Sequence, residues 1–356
     1  MFHLHRHTIL RASILLIGFF LFRAIGPFAQ TPLSSVPAAP ATREVVDETG
    51  RAVRVPVLHL RIVSLAPSLT ETVYALGLQD RLVGDTDFCD YPPDAQKKTK
   101  VGGGINPNIE VIASLHPDLV LVVKSFNRLE TVRALETLGI ASYSTDPHTV
   151  DEIVTSTEKL GNVLGAPEAG KTVAVDLRNR LTSLREKLAP LPQTRVLFVV
   201  WTEPLISIGK GTFIADALRK AGADSIVDSD HDWPQMNLEE VVHLQPEYLV
   251  FAASHSDAGA HDFDALSAKP GWSLLEAIQN RRFAVISDAV NRPAPRIVSA
   301  IEDLARQLHP NAFQMPSGTQ KGTVPQNRMT SPHSIPDSSQ YQFHDDARFA
   351  AAACAR

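Results

Sequence analysis

One pattern occurs twice in this chain, and it restricts the fold more than any other feature. Asn108-Ile-Glu-Val-Ile-Ala-Ser-Leu-His-Pro-Asp-Leu-Val-Leu and Asn237-Leu-Glu-Glu-Val-Val-His-Leu-Gln-Pro-Glu-Tyr-Leu-Val align without a gap. In each copy an asparagine suited to cap a helix precedes an acid in the first turn, Glu110 or Glu239, and a proline ends the helix before an apolar strand. The same helix-to-strand unit at two distant places predicts two comparable α/β halves. The alternative is a chance likeness between α/β units.

The rest of the chain is consistent with two halves. Short β-type runs at Arg61 to Leu65, Asp118 to Val123, Arg195 to Val200, Glu247 to Ala252 and Phe283 to Ser287 alternate with segments of helical periodicity. That alternation gives the fold class: α/β, with mostly parallel sheets. It breaks at Thr149 to Leu164, a helix followed almost at once by a second from Pro167 to about Leu188. Pro167 suits a first helical turn, and Val173, Leu177, Leu181, Leu184 and Leu188 form one apolar stripe. The expectation is two three-layer lobes, 43–166 and 191–308, joined by a long connecting helix over 167–190.

The ends differ from the body. Residues 1–29 read as a secretory signal peptide: Arg6 and Arg11 precede the apolar run Ile14 to Phe22, and cleavage falls near Ala29. That run is shorter than the roughly 20 residues a membrane-spanning helix needs, although an uncleaved anchor begins in the same way. Residues 30–42 are rich in Pro, Ala and Ser, a flexible tether. Residues 309–356, rich in Pro, Ser, Gln, Asn and Thr, read as a disordered tail.

Composition and motifs narrow the function. A net charge of −5 without lysine or arginine blocks argues against a nucleic-acid partner. Cys89 and Cys354 are too few for a disulfide framework, so a hydrophobic core must hold the fold. His255 and His261, with Asp257, Asp262 and Asp264 nearby, are the one candidate metal cluster, but no histidine follows the first strand, where Ala66-Pro-Ser-Leu-Thr stands. His59, His116, His148 and His243 read as loop or helix-surface residues. Gly102-Gly-Gly and Gly209-Lys-Gly-Thr lack the spacing of a phosphate loop, and Cys89 has no histidine nearby in sequence. An enzyme on a related α/β fold remains the rival reading, with no nucleophile and base pair to carry it.

Several strings in a fixed order carry a resemblance. Arg43-Glu-Val-Val-Asp-Glu-Thr-Gly-Arg-Ala-Val-Arg-Val-Pro and Arg61-Ile-Val-Ser-Leu-Ala-Pro-Ser-Leu-Thr-Glu are followed by Asp90-Tyr-Pro-Pro, Val101-Gly-Gly, Asn106-Pro-Asn-Ile-Glu and Trp233-Pro-Gln. Ser287-Asp, Arg292 and Pro295-Arg296 complete the series. From Arg43 to Leu308 the chain resembles the iron-siderophore and cobalamin class of periplasmic binding proteins, and within it the cobalamin-binding members. The resemblance implies the helical-backbone (class III) fold with small closing motions, a role as the substrate-binding component of an ABC importer, no catalysis, and a periplasmic monomer. It implies a cobalamin or related corrinoid as transported cargo rather than a cofactor, with an iron-siderophore or haem as the alternative ligand.

It also assigns residues. Trp233, Asp288 and Arg292 match positions that the family places near the ligand. Phe88 falls where the family has a tyrosine, keeping the ring and losing the hydroxyl. A second family tryptophan aligns with Gly104, so the expected platform on the first lobe is missing. Trp201 and Phe126, each following a strand, either replace part of that platform or pack in the core. Arg296, close to Arg292, leaves room for an anionic chelate. Glu110 and Glu239 match two glutamates that dock on permease arginines, and their other reading is compensation of a helix N-terminus.

Overall fold

The computed structural model of the protein describes residues 41–57, 60–253 and 263–314. The leader, most of the tether and tail, Cys354, and the candidate metal residues His255, Asp257, His261 and Asp262 lie outside them. Among the described residues no helix is long and apolar enough to cross a membrane.

A hairpin of β1 (Thr42–Val46) and β2 (Ala52–Pro56) leads into the first lobe. There β3 (Ile62–Ser64), α1 (Pro67–Ala75), β4 (Leu82–Asp85), β5 (Thr99–Lys100), α2 (Ile109–Ser114), β6 (Leu119–Val123), α3 (Leu129–Thr137) and β7 (Ser142–Thr145) follow in order. Two helices, α4 (Val150–Val163) and α5 (Pro167–Leu188), lead to β8 (Thr194–Phe198), β9 (Trp201–Thr202), β10 (Leu205–Ile206), α6 (Phe213–Lys220) and β11 (Ala223–Ser225). The chain closes with α7 (Leu238–Leu244), β12 (Tyr248–Ala252), α8 (Phe263–Ala268), α9 (Glu276–Gln279), β13 (Phe283–Ile286) and α10 (Ile297–Leu308).

Both main sheets are wholly parallel. Their strand orders are β5-β4-β3-β6-β7 and β11-β8-β12-β13, so the first has the order of the second plus the edge strand β5. Each sheet is buried on both faces, and alternate residues of one strand enter different cores. In β6, Leu119, Leu121 and Val123 face the core shared with α1, whereas Val120 and Val122 face the one shared with α2 and α3. In β8, Val196 and Phe198 join the core of α5, α6 and α10, and Leu197 joins that of α7 to α9. Two three-layer lobes result.

The echoed strings occupy equivalent places down to single bonds. Asn108 caps α2 by accepting from Val111 N at 3.1 Å, and Asn237 caps α7 by accepting from Glu239 N at 2.9 Å. Each helix ends in a non-glycine residue with left-handed backbone, His116 at φ 46° and Gln245 at φ 45°. The acid after each proline then ties the next strand to its neighbour: Asp118 accepts from Arg61 N at 2.7 Å, and Glu247 from Arg195 N at 3.1 Å.

The connection between the sheets differs from the expectation of one helix. Val150, Ile153 and Val154 at the start of α4 belong to the second core, while Leu160, Val163 and Leu164 at its end belong to the first. In the reverse direction, α5 begins with Ala166 and Ala169 against the first core and continues with Ala174, Leu177, Leu184 and Leu188 in the second. Two antiparallel helices therefore cross, and they meet at glycines. A Cβ on Gly161 would lie 2.6 Å from Gly170 Cα, and one on Gly170 would lie 2.9 Å from Glu158 O. The apolar stripe of α5 pointed to a single connector, whereas α4 shares its apolar residues between both cores.

The last helix ends at Leu308, the expected limit of the second lobe, yet the fold continues beyond it. A 3-10 turn, Pro310–Phe313, lies in the stretch assigned to the tail, and Phe313 packs on the second core. Arg43 donates to the carbonyls of Asn162 and Val163, and Arg81 to that of Leu164 at 2.7 Å, which satisfies the exposed C-terminus of α4 with two cations.

The glycine crossing yields a test. Gly161→Ala and Gly170→Ala should each lower the unfolding free energy by about 1–3 kcal/mol, because the helices must separate to admit a methyl group. Gly211→Ala, with nothing within 4 Å, should be near neutral, and urea denaturation compares the three.

Candidate functional site

In parallel α/β sheets, ligands bind beyond the carboxyl ends of the strands. Here the carboxyl ends of the two sheets meet. From the first lobe come Glu71 on α1 and Asp90 in the loop after β4; from the second come Asp288, Arg292 and Arg296 after β13. Arg292 Nη1 donates to Glu71 Oε1 at 2.8 Å and to Asp90 Oδ1 at 2.7 Å. Arg296 grips Glu71 through Nε at 3.0 Å and Nη2 at 2.9 Å, and its Nη1 reaches Asp288 Oδ1 at 3.1 Å. The Tyr91 ring lies 4.0 Å from the Arg296 guanidinium carbon. The Glu71 side chain is 3% exposed, against 17% for Arg292 and 20% for Arg296. Burial works against the charge of Arg292, but the hydrogen bonds it donates to Asp90 and Glu71 outweigh it and raise its pKa.

On the first lobe the aromatic side chains sit around a glycine turn. Gly102 has φ +87°, a conformation that suits glycine, and a Cβ on Gly103 would lie 3.7 Å from Phe88. Gly104 has no room for a Cβ, because Phe126 lies directly over it and Leu65 O is 2.8 Å from the same point. Phe126 thus covers the position where the resemblance leads one to expect a tryptophan. Asn127 fixes this arrangement from beneath, donating to Leu65 O at 2.9 Å and Gly104 O at 2.8 Å while accepting from Val123 N at 2.6 Å.

The loop that carries Phe88, Asp90 and Tyr91 hangs on one lysine. Lys100 Nζ bonds Asp85 Oδ1 at 2.9 Å and the carbonyls of Cys89 at 3.1 Å, Ala95 at 3.2 Å and Thr86 at 3.3 Å. Cys89 is buried beneath, with the Thr70 hydroxyl 3.2 Å and the Thr86 hydroxyl 3.1 Å from its Sγ. Burial raises its pKa, so this thiol is not an activated nucleophile.

On the second lobe, Trp201 is half-buried against the core, and its indole N–H donates to Glu203 O at 2.7 Å. Trp233 is 37% exposed and lines a cavity of about 530 Å³ with Ile226, Pro234, Met236 and Leu244. Its segment is laced to β10 and the chain after it: Met236 N to Leu205 O, Ser207 N to Pro234 O, and Gly209 N to Asp232 O, at 2.8, 3.1 and 2.9 Å. Gly209 allows this close approach, since a Cβ there would overlap His231 O. The Gly209-Lys-Gly-Thr string is thereby explained, and Thr212 at its end caps α6 by accepting from Ala215 N at 3.1 Å.

The structure brings Asp288 and Arg292 together, and Phe88 with Phe126, while Trp201 and Trp233 stand after separate strands of the second sheet. Glu110 and Glu239 are exposed, each in the first turn of its duplicated helix. Sequence reasoning missed Glu71. It stands in Pro-Ser-Leu-Thr-Glu-Thr-Val, where Ser68 to Val73 are all buried, and an acid inside so uniformly buried a turn is the signal that could have found it.

Two parallel-sheet lobes spanned by a helix pair, with strand ends facing one another, define a protein built to clasp a solute. Residues 62–290 match the periplasmic binding protein family. The chain is 34% identical to the vitamin B12-binding protein of Vibrio cholerae serotype O1 over 250 residues, 70% of this chain and 88% of that relative. The crystal structure of the periplasmic vitamin B12 binding protein BtuF of Vibrio cholerae superposes with a TM-score of 0.63 at 32% identity, covering 71% and 98% of the two chains. A periplasmic heme binding protein from Pseudomonas aeruginosa shares the fold, with a TM-score of 0.65 at 23% identity over 72% and 95%. The chain belongs to the periplasmic binding protein family.

The buried Asp85 gives a pH-dependent test. Burial pushes its pKa up to about 6 from 3.8, with Lys100 only partly offsetting the effect. The folded chain therefore keeps a proton that the unfolded chain has lost between about pH 4 and pH 6, and stability falls as pH rises through that window. Asp85→Asn removes this loss. Relative to the parent, the variant should gain up to about 3 kcal/mol between pH 4 and pH 7, read from urea midpoints at each pH.

Proposed function

We propose that this chain is the substrate-binding component of an ABC importer, exported to the periplasm as a monomer, which captures a corrinoid between its lobes and delivers it unchanged to a membrane permease. The observation that carries this reading is the placement of Phe88, Phe126, Trp201 and Trp233 after carboxyl ends of strands in both sheets. A flat, largely apolar macrocycle with an amide fringe requires aromatic walls and a few hydrogen-bonding groups. Each aromatic side chain buries roughly 150–250 Å², worth at most about 4–6 kcal/mol, so two or three suffice for about 12 kcal/mol after the cost of association. Phe126 over Gly104 supplies the first-lobe surface, and Trp233 the second. The 34% identity to a vitamin B12-binding protein supports the same ligand class.

An anionic iron chelate or haem would call for free guanidiniums, and Arg292 and Arg296 are both engaged by carboxylates. Glu110 and Glu239 are assigned to permease docking. They occupy equivalent positions on duplicated helices, and one acid on each lobe suits a partner with two-fold symmetry.

Isothermal titration with cyanocobalamin, cobinamide, haem and ferric siderophores tests the ligand. Heat should appear with the corrinoids, and a flat trace with both would overturn the reading. Trp233→Ala should weaken corrinoid affinity by about tenfold to hundredfold while leaving Tm unchanged. Glu110→Ala combined with Glu239→Ala should leave affinity within about twofold and depress uptake by whole cells, since charges at a helix N-terminus contribute only about 0.3–1 kcal/mol to stability. Normal uptake would refute the docking role.

A further inference from the structure

Three carboxylates and two guanidiniums meet where the sheets face each other, which leaves the group with one excess negative charge. Glu71 is the centre of it: a single buried carboxylate accepts from both Arg292 and Arg296. Asp90 and Asp288, with side chains 57% and 29% exposed, stand at the outside. We propose that Glu71 sets the charge preference of the cleft, so that ligands fringed with neutral primary amides are accepted and those fringed with carboxylates are refused. This rests on the corrinoid reading and specifies the chemistry of its polar contacts.

A ligand carboxylate that bonds Arg292 or Arg296 adds a like charge to a group that already carries one in excess, and Glu71, held by three N–H donors at 2.8 to 3.0 Å, fixes that excess in place. The Tyr91 ring lies against the Arg296 guanidinium and covers it further. An amide adds no charge, and its N–H groups can donate to Asp90, the most exposed of the three carboxylates. Glu71 is too buried to touch a ligand and acts through the two arginines as a positioning residue.

The test uses ligands that differ by one charge. Cyanocobalamin and its monocarboxylic acid, in which one peripheral amide is hydrolysed, are titrated into the full chain and its variants. The parent should prefer the amide form by at least about tenfold, and Glu71→Gln should reduce that preference by about tenfold. Adding Arg292→Gln to Glu71→Gln should restore it, a rescue that a merely structural role would not give. Arg296→Gln removes a compensating cation and should maintain or strengthen the preference, which keeps the proposal open to refutation if Glu71→Gln does not fold. An unchanged preference in Glu71→Gln, or a weakened one in Arg296→Gln, overturns it. If the parent binds no corrinoid, the corrinoid reading fails by itself, and the same contrast is read from haem and its dimethyl ester, where an equal response of both to Glu71→Gln overturns the role of Glu71. A parent that takes up neither macrocycle overturns both.

Discussion

A carboxylate removed from water needs cations close by, and taking away one partner of such a pair costs about 3–5 kcal/mol. Glu71 imposes that requirement on the first lobe, and the lobe itself does not meet it: both guanidiniums come from the segment after β13, on the other sheet. Burying this one acid in α1 thus commits the strand ends of the two sheets to face each other. The placement of α1 against the segment after β13 follows from that commitment.

Polar and backbone bonds fix the segments that carry the aromatic side chains on each lobe. The Phe88 loop is fastened by the Lys100 ammonium, the Phe126 turn by the Asn127 amide, and the Trp233 segment by a ladder of backbone bonds that Gly209 permits. The Lys100 and Asn127 side chains fix backbone in both first-lobe segments. Rings that are already positioned lose less freedom on meeting a ligand, and more of their apolar contact is expressed as affinity.

The lobes were legible in the sequence because their signals are local. Alternating apolar runs located five of the nine strands in the two main sheets to within a residue or two, and helical periodicity from Thr149 located α4, whose start the structure closes with a capping box between Thr149 and Glu152. The acid after each echoed proline makes a bond that the pattern alone does not specify, accepting from Arg61 N or Arg195 N. What stayed hidden depends on residues distant in the chain. Gly161 and Gly170 look like ordinary weak points in helices until each is seen against the other, and Glu71 is separated from Arg292 by most of the folded chain. Gly104 reads as the loss of an aromatic residue in the sequence, whereas in space it leaves room for Phe126.

The paired helices also determine how the molecule can come apart. Because α4 completes the second core with its first turns and the first core with its last, neither lobe owns all the side chains that close it. A cut between α4 and α5 would open a wall in each half, so neither is a self-sufficient folding unit despite the twofold pattern of its sequence. The two sheets are thereby coupled in unfolding, and the duplication visible in the chain is one of pattern and not of thermodynamic independence.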